Sequence, residues 1–272
     1  MALIANIQPT FEHDHANRLL PLGASCTAYE PDATLKDCSE ISPEENDMGK
    51  TMFKPETVAE VASRFLRLYT GAIADILDKN GYRNQVLPYY ITPFTTANRV
   101  AGMAFTGQGY PCADTAHDDT KTRLKILDSI SLGTVSVWAT GGSMDCAHWG
   151  EIMSTAVKQR GCTGAVVDGG VRDVDFVNAM NYPVFAKFKC SASSVGRWDI
   201  IDCQVSIKIG NTVVHPGDFV FGDTDGVVVI PKDMTMDVLV AAEDIFEREA
   251  GMREELRRGV SVTDAYAKYG SL

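Results

Sequence analysis

Apolar residues first recur at helical spacing just after Pro55, at Val58, Val61, Ala62, Phe65, Leu66 and Tyr69. Proline suits the first turn of a helix, so Pro55 predicts its start. Thr70 is expected to cap a second, short helix with Ile73, Ile76 and Leu77, closed by Asn80-Gly81. Asp75 sits on that helix as a capping or packing residue. Val86 to Ala104 reads as extended pieces broken by Pro88 and Pro93. After a polar entry with Asp114, His117, Asp118 and Asp119, the spacing of Leu124, Leu127 and Ile130 predicts a helix. Those acids fit a solvated helix start better than a metal site. Thr134–Thr140 is a strand ended by Gly141-Gly142, and Ala147 to Arg160 is expected to be helical.

Ala165-Val166-Val167 is a short apolar run between glycines, the pattern of a buried strand. Asp168-Gly169-Gly170 is expected to end it with a tight turn. Arg172 and Asp173 then open a helix with Val174, Phe176, Val177 and Met180. Further strands are predicted at Pro183–Lys187, at Asp199–Ile209, and around the Gly210-Asn211 turn. Two more flank Gly222-Asp-Thr-Asp-Gly226, which reads as a turn rather than a calcium loop. From Pro231 a long helix is predicted, charged at Glu243, Glu247, Glu249, Glu254 and Glu255. Strands with helices at intervals predict a layered α/β domain.

Residues 1–52 differ, with no sustained period, and read as a partly irregular extension ahead of a domain at 53–272. Glu12-His-Asp-His15 fits an exposed polar stretch better than a metal site. The net charge of −11 over 272 residues argues against nucleic acid, which needs a basic face, and against an anionic membrane surface. No apolar run approaches a membrane span, and Met1–Gln8 lacks a signal-peptide pattern. The 7 cysteines are scattered without a C-x-x-C pair, as expected of reduced thiols in a cytoplasmic protein. Gly107-Gln-Gly109 lacks the rest of a dinucleotide fingerprint.

The chemistry centres on Gly150-Glu151 and Arg172-Asp173. An arginine can grip a carboxylate with two hydrogen bonds, and a hard divalent cation prefers carboxylate and water oxygens. Glycines nearby let backbone N–H groups approach an anion. Gly150, Ile152 and Met153 fall at a helix start, where free amides can hold a carboxylate. His148 reads equally as a substrate contact or a packed histidine.

Gly164-Ala-Val-Val-Asp-Gly-Gly-Val-Arg-Asp173 resembles the signature of the class II, metal-dependent 4-hydroxy-4-methyl-2-oxoglutarate / 4-carboxy-4-hydroxy-2-oxoadipate aldolases, which share their fold with the regulator of ribonuclease activity A proteins. Asp75–Gly81, Val100–Thr106 and Gly222–Pro231 extend the resemblance over roughly Tyr69 to Tyr266. The family's acidic residue stands 21 positions before the arginine. Here that position is Glu151, where the motif has aspartate. The resemblance implies a swivelling β/β/α fold, assembled as homotrimers or homohexamers with active sites between subunits. It implies a lyase cleaving a 4-hydroxy-2-oxo acid to pyruvate, with oxaloacetate decarboxylation as a related activity. Arg172 would bind the small 2-oxo-acid substrate, Asp173 would anchor Mg²⁺ or Mn²⁺, and Glu151 would act through water as the base. The Gly150-Glu151-Ile152-Met153 turn would help hold pyruvate, and Glu247 or Glu249 would reach a neighbour's site. A non-catalytic regulator on the same fold, or another metal-dependent lyase or hydrolase, are the alternatives.

Overall fold

The computed structural model describes residues 55–112 and 119–270. The extension, His13, Asp14, His15, the acidic stretch Glu40 to Asp47, and Asp114, His117 and Asp118 lie outside the described residues. Two helices, α1 (Pro55–Phe65) and α2 (Thr70–Lys79), come first. Then follow β1 (Thr92–Pro93), β2 (Val100–Pro111), α3 (Thr120–Ser129), β3 (Thr134–Ala139), β4 (Ala147–Trp149) and α4 (Glu151–Gln159). The second half holds β5 (Gly164–Val171), α5 (Val174–Ala179), β6 (Val184–Lys189), β7 (Trp198–Cys203), β8 (Ile207–Ile209) and β9 (Thr212–Val214). It closes with β10 (Phe219–Asp223), β11 (Gly226–Ile230), α6 (Thr235–Arg257) and α7 (Val262–Tyr269).

One mixed sheet runs in the order β1-β6-β5-β3-β2-β10-β11, with β4 added to β5 and β7 to β2. Strands β2, β3, β5 and β6 are parallel, and β10 and β11 are antiparallel additions. The sheet nearly closes on itself. Val229 N–H donates to Gln85 and Leu87 N–H to Val227, at 2.8 and 2.9 Å, and the same segment runs on to pair β1 with β6. The barrel interior is apolar, filled by Val135, Val137, Val166, Phe185, Ile209 and Val229 among others. Outside it, α1, α2 and α6 cover one face through Phe65, Phe219, Phe221 and Leu239. The helices α3, α4 and α5 cover another through Ile126, Val157 and Val177, with Trp138, Trp149 and Trp198. Strand β5 is buried on both faces, which is why Gly164–Val167 reads as an unbroken apolar run.

The layered α/β architecture is the one expected, with local corrections. Ala147–Trp149 is a strand, and the helix starts only at Glu151. β5 does not end at Asp168; it passes a register shift and continues to Val171. Thr70 is not the cap of α2 but its first residue, and its N–H and hydroxyl both donate to the buried carboxylate of Asp223, each at 2.8 Å. The Gly222–Gly226 turn is therefore a hairpin that holds a distant helix start. Cys146, Cys162 and Cys190 are free thiols, whereas Cys203 is disulfide-bonded, against the expectation of reduced thiols throughout. Among the described residues no helix is long and apolar enough to cross a membrane.

Candidate active site

The 21-residue gap between Glu151 and Arg172 is closed by strand pairing. β4 lies parallel to β5, with Ala147 opposite Gly170 and Trp149 opposite Val171. Arg172 N–H donates to the Trp149 carbonyl at 3.0 Å. Both strands thus end side by side, and the residues after them, Gly150-Glu151 and Arg172-Asp173, meet. Contact is close: a Cβ on Gly150 would lie 2.9 Å from Asp173 Oδ2 and 3.3 Å from Arg172 Cγ.

Asp173 adopts φ 59° and ψ 31°, the left-handed conformation, at the residue before α5. Such a backbone is costly for an L-residue, though aspartate tolerates it better than most. Its side chain makes no cap bond to α5. It turns back to α4, where Oδ2 accepts from Glu151 N–H at 3.4 Å and faces Arg172 Nε at 3.6 Å. Arg172 and Asp173 are 45% and 40% exposed, open to a ligand from solvent. Glu151 Oε1 accepts from the Thr155 hydroxyl at 2.6 Å, one turn along α4, which fixes the carboxylate's direction. The next amides of that first turn, Ile152 and Met153, have no acceptor within the helix. Gly150, Glu151, Ile152, Met153, Arg172 and Asp173 all line one cavity of about 130 Å³, with Arg123, His148, Ser193 and Ser194 in its wall. A wider cleft of about 520 Å³ adjoins it at Arg172 and Asp173 and includes Phe176, Lys189 and Ser191.

The signature glycines serve a different purpose from the one expected. Gly170 N–H is taken by His148 Nδ1 at 3.0 Å. A Cβ on Gly169 would lie 2.4 Å from that nitrogen, and one on Gly170 2.4 Å from the Cys146 carbonyl. They are small so that the imidazole and β4 can pack against β5. His148 is a packed histidine, only 1% exposed. Since Nδ1 accepts, Nε2 carries the proton and faces Cys146 Sγ at 3.5 Å. Burial first, then the Arg123 charge, lowers its pKa to about 4. Asp168 lies outside the cavity, 3.8 Å from Lys187, with its pKa raised by burial.

His148 therefore gives a pH test. Its folded pKa is depressed below the ordinary 6.5, so the unfolded chain binds the proton first. Stability should fall as pH drops from about 6.5 to about 4, by on the order of 3 kcal/mol from this group. Urea melts of wild type and His148→Gln across that range should show a shallower pH slope in the variant. Equal slopes would contradict the assignment.

Among the described residues no cluster of three or more His, Cys, Asp or Glu could hold a metal. The donors present suit a hard cation that takes few protein ligands and keeps its water, as magnesium does. Among the described residues both Asp173 contacts fall on Oδ2, so Oδ1 is the oxygen that could face a ligand. Two guanidiniums, Arg123 and Arg172, stand in or beside the cavity against three carboxylates, Asp119, Glu151 and Asp173. That balance is one charge negative, and a divalent cation would reverse it for an anionic ligand.

At the strand ends of this nearly closed α/β barrel an acid and an Arg-Asp pair are brought together in one cavity. The chain belongs to the RraA-like family, Aldolase/RraA, whose profile matches residues 70–229. It is 34% identical over 181 residues to a Halalkalibacterium halodurans protein named "Putative 4-hydroxy-4-methyl-2-oxoglutarate aldolase", covering 66% of this chain and 81% of that one. It is 26% identical to Protein DlpA of Legionella pneumophila over 91% of this chain; that match spans only 38% of DlpA's length. The fold matches the crystal structure of Streptomyces coelicolor RraAS2, described as an unusual member of the RNase ES inhibitor RraA family. That match has a TM-score of 0.62 at 25% identity, over 73% of this chain and 96% of the other.

Proposed function

We propose that the protein is a divalent-metal-dependent lyase that cleaves a 4-hydroxy-2-oxo acid by a retro-aldol step, releases pyruvate, and also decarboxylates oxaloacetate. The observation that supports it most is the β4–β5 pairing that sets Glu151 beside Arg172-Asp173 in one cavity. Named relatives of aldolase type support the reaction class.

Asp173 would hold Mg²⁺ or Mn²⁺. When bound, the cation supplies Lewis-acid stabilisation of negative charge developing on the 2-oxo group. Arg172 binds the pyruvyl carboxylate or ketone, and the amides of Ile152 and Met153 add donors at the helix start. Glu151, acting through a water, takes the proton from the C4 hydroxyl. The C3–C4 bond then breaks, its electron pair passes into the pyruvate enolate, and the hydroxyl carbon leaves as a carbonyl. The same proton returns to C3 to give pyruvate. In oxaloacetate the bond to the departing carboxylate breaks instead, giving the same enolate.

Assembly as a homotrimer or homohexamer in the cytoplasm is part of the proposal. Ile152 and Phe176 flank the site at 76% and 69% exposure, an apolar rim suited to a neighbouring subunit. Of the two helix glutamates, Glu249 sits beside Tyr69, whose hydroxyl is pushed up by burial and then by that carboxylate, and also pairs with Arg253 at 3.4 Å. Glu247 is exposed and is the better placed of the two to reach a neighbour.

A screen of 4-hydroxy-2-oxo acids and oxaloacetate with Mg²⁺ or Mn²⁺, read by pyruvate formation, tests the reading. The regulator reading, favoured by the likeness to the RNase ES inhibitor family, expects no pyruvate from any of them. Arg172→Lys should lose on the order of 1–3 kcal/mol of transition-state stabilisation, because lysine keeps the charge but not the planar fork. Steady-state kinetics would check this, and a near wild-type kcat/KM would remove Arg172 from direct contact with substrate.

A further inference from the structure

Among the described residues, Arg123 is the one charged residue in the cavity wall that neither the motif nor the proposed chemistry uses. It comes from α3, far in sequence from the Arg-Asp pair, yet lines the same space as Glu151, Arg172 and Asp173. Its side chain is only 15% exposed. Nη2 is held by both oxygens of the buried Asp119 carboxylate, at 2.9 and 2.8 Å, and Asp119 is itself fixed by Ile200 N–H at 2.9 Å. Nη1 donates to the Ser194 hydroxyl at 2.7 Å, and the guanidinium stacks over the Trp198 ring at 5.5 Å. The group is thus locked in orientation from three sides. Its Nε–H nevertheless has no hydrogen-bond partner among the described residues, although it is buried. A buried unpaired donor on a charged group is costly, and a ligand oxygen would relieve that cost. A pre-oriented guanidinium with spare donors, in a cavity wall beside Ser193 and Ser194, is the feature that reads a carboxylate.

We propose that Arg123, steadied by Asp119 and Ser194, is the specificity-determining residue that binds the second carboxylate of the substrate, at the end opposite the 2-oxo acid head held by Arg172. This assignment rests on the lyase reading above for the identity of that head. It selects 2-oxo acids bearing a distal carboxylate over equally long ones ending in a methyl group. Asp119 and Trp198 are positioning residues, acting through the guanidinium.

Two stable ligands of equal chain length isolate the effect: 2-oxoglutarate, with a distal carboxylate, and 2-oxopentanoate, with a methyl group in its place. Calorimetric titration of the full chain in Mg²⁺ should show 2-oxoglutarate binding about 10-fold or more tighter, the scale of one charged hydrogen bond. In Arg123→Gln the ratio should fall to about one, with 2-oxopentanoate affinity changed by less than about threefold, well under one such bond. Arg123→Lys, which keeps charge and stem, should give an intermediate ratio and decides the matter if the glutamine variant does not fold. A ratio that Arg123→Lys and Arg123→Gln leave intact, an equal loss for both ligands, or no preference in wild type would overturn the proposal. The two readings separate cleanly. Pyruvate release with an unaltered ratio removes only Arg123, whereas an Arg123-dependent ratio without any lyase activity removes only the reaction.

Discussion

Asp173→Ala is expected to lower metal-dependent turnover by at least about 10²–10³-fold, the scale for removing one group aimed at developing charge. The carboxylate has no structural duty inside its own helix: it makes no cap bond to α5 and points back to Glu151 N–H and Arg172 Nε. Its backbone is left-handed, φ 59°, where alanine is less comfortable than aspartate. Some stability loss, of order 1–2 kcal/mol, therefore accompanies the alanine. Asp173→Asn separates the two effects. Asparagine tolerates that backbone and can still accept from Glu151 N–H, but it carries no charge for a cation. It should fold like wild type and fail like the alanine variant. Calorimetric titration with Mg²⁺ and Mn²⁺, beside the kinetics, checks this. Unchanged metal affinity and turnover in both variants would show that the cation is held elsewhere.

Glu151→Gln is the second large effect. The Thr155 hydroxyl fixes one carboxylate oxygen at 2.6 Å, and glutamine can keep that contact through its carbonyl. Size and hydrogen bonding survive while the base is lost. Turnover should drop about 10²–10⁴-fold, the usual contribution of general acid–base help. Metal affinity should move much less, because Asp173 is the proposed anchor. Glu151→Asp keeps the charge but shortens the reach and leaves Thr155, so it should retain more activity than the glutamine variant. Steady-state kinetics with metal saturating ranks the three proteins. A glutamine variant as active as wild type would make Glu151 a structural helix-start acid and shift the proton to another group, such as Glu247 or Glu249 from a neighbour in the proposed assembly.

Arg172 and Asp173 stand out locally, as an arginine and an aspartate after a glycine-bounded apolar run, but it is the family resemblance, with its acid 21 positions before the arginine, that joins Glu151 to them and gives all three a role. What the sequence misplaced was set by distant partners. Ala147–Trp149 has nothing local that forbids a helix; it is a strand because the end of β5 is there to pair with it. Asp168-Gly169-Gly170 looks like a turn, yet β5 runs on because the glycines admit His148 and the Cys146 carbonyl. Thr70 looks like a cap, but the capping carboxylate arrives from Asp223, 153 residues later. Asp119 and Arg123 were recognisable as an i,i+4 pair on a helix start. That Arg123 would line the cavity depends on Ser194, 71 residues further on, and no local pattern carries that information.

The proposed lyase chemistry requires one ability above all: a cavity that holds a 2-oxo acid and moves a proton to and from its enolate. Proton exchange into pyruvate itself measures that ability without knowledge of the full substrate. In D₂O with saturating Mg²⁺ or Mn²⁺, the protein should deuterate the pyruvate methyl group, as seen by loss of its proton NMR signal. Exchange should stop on chelation, return with added metal, and fall sharply in Glu151→Gln. Methyl exchange no faster than in buffer, with wild-type protein and metal present, would contradict the account.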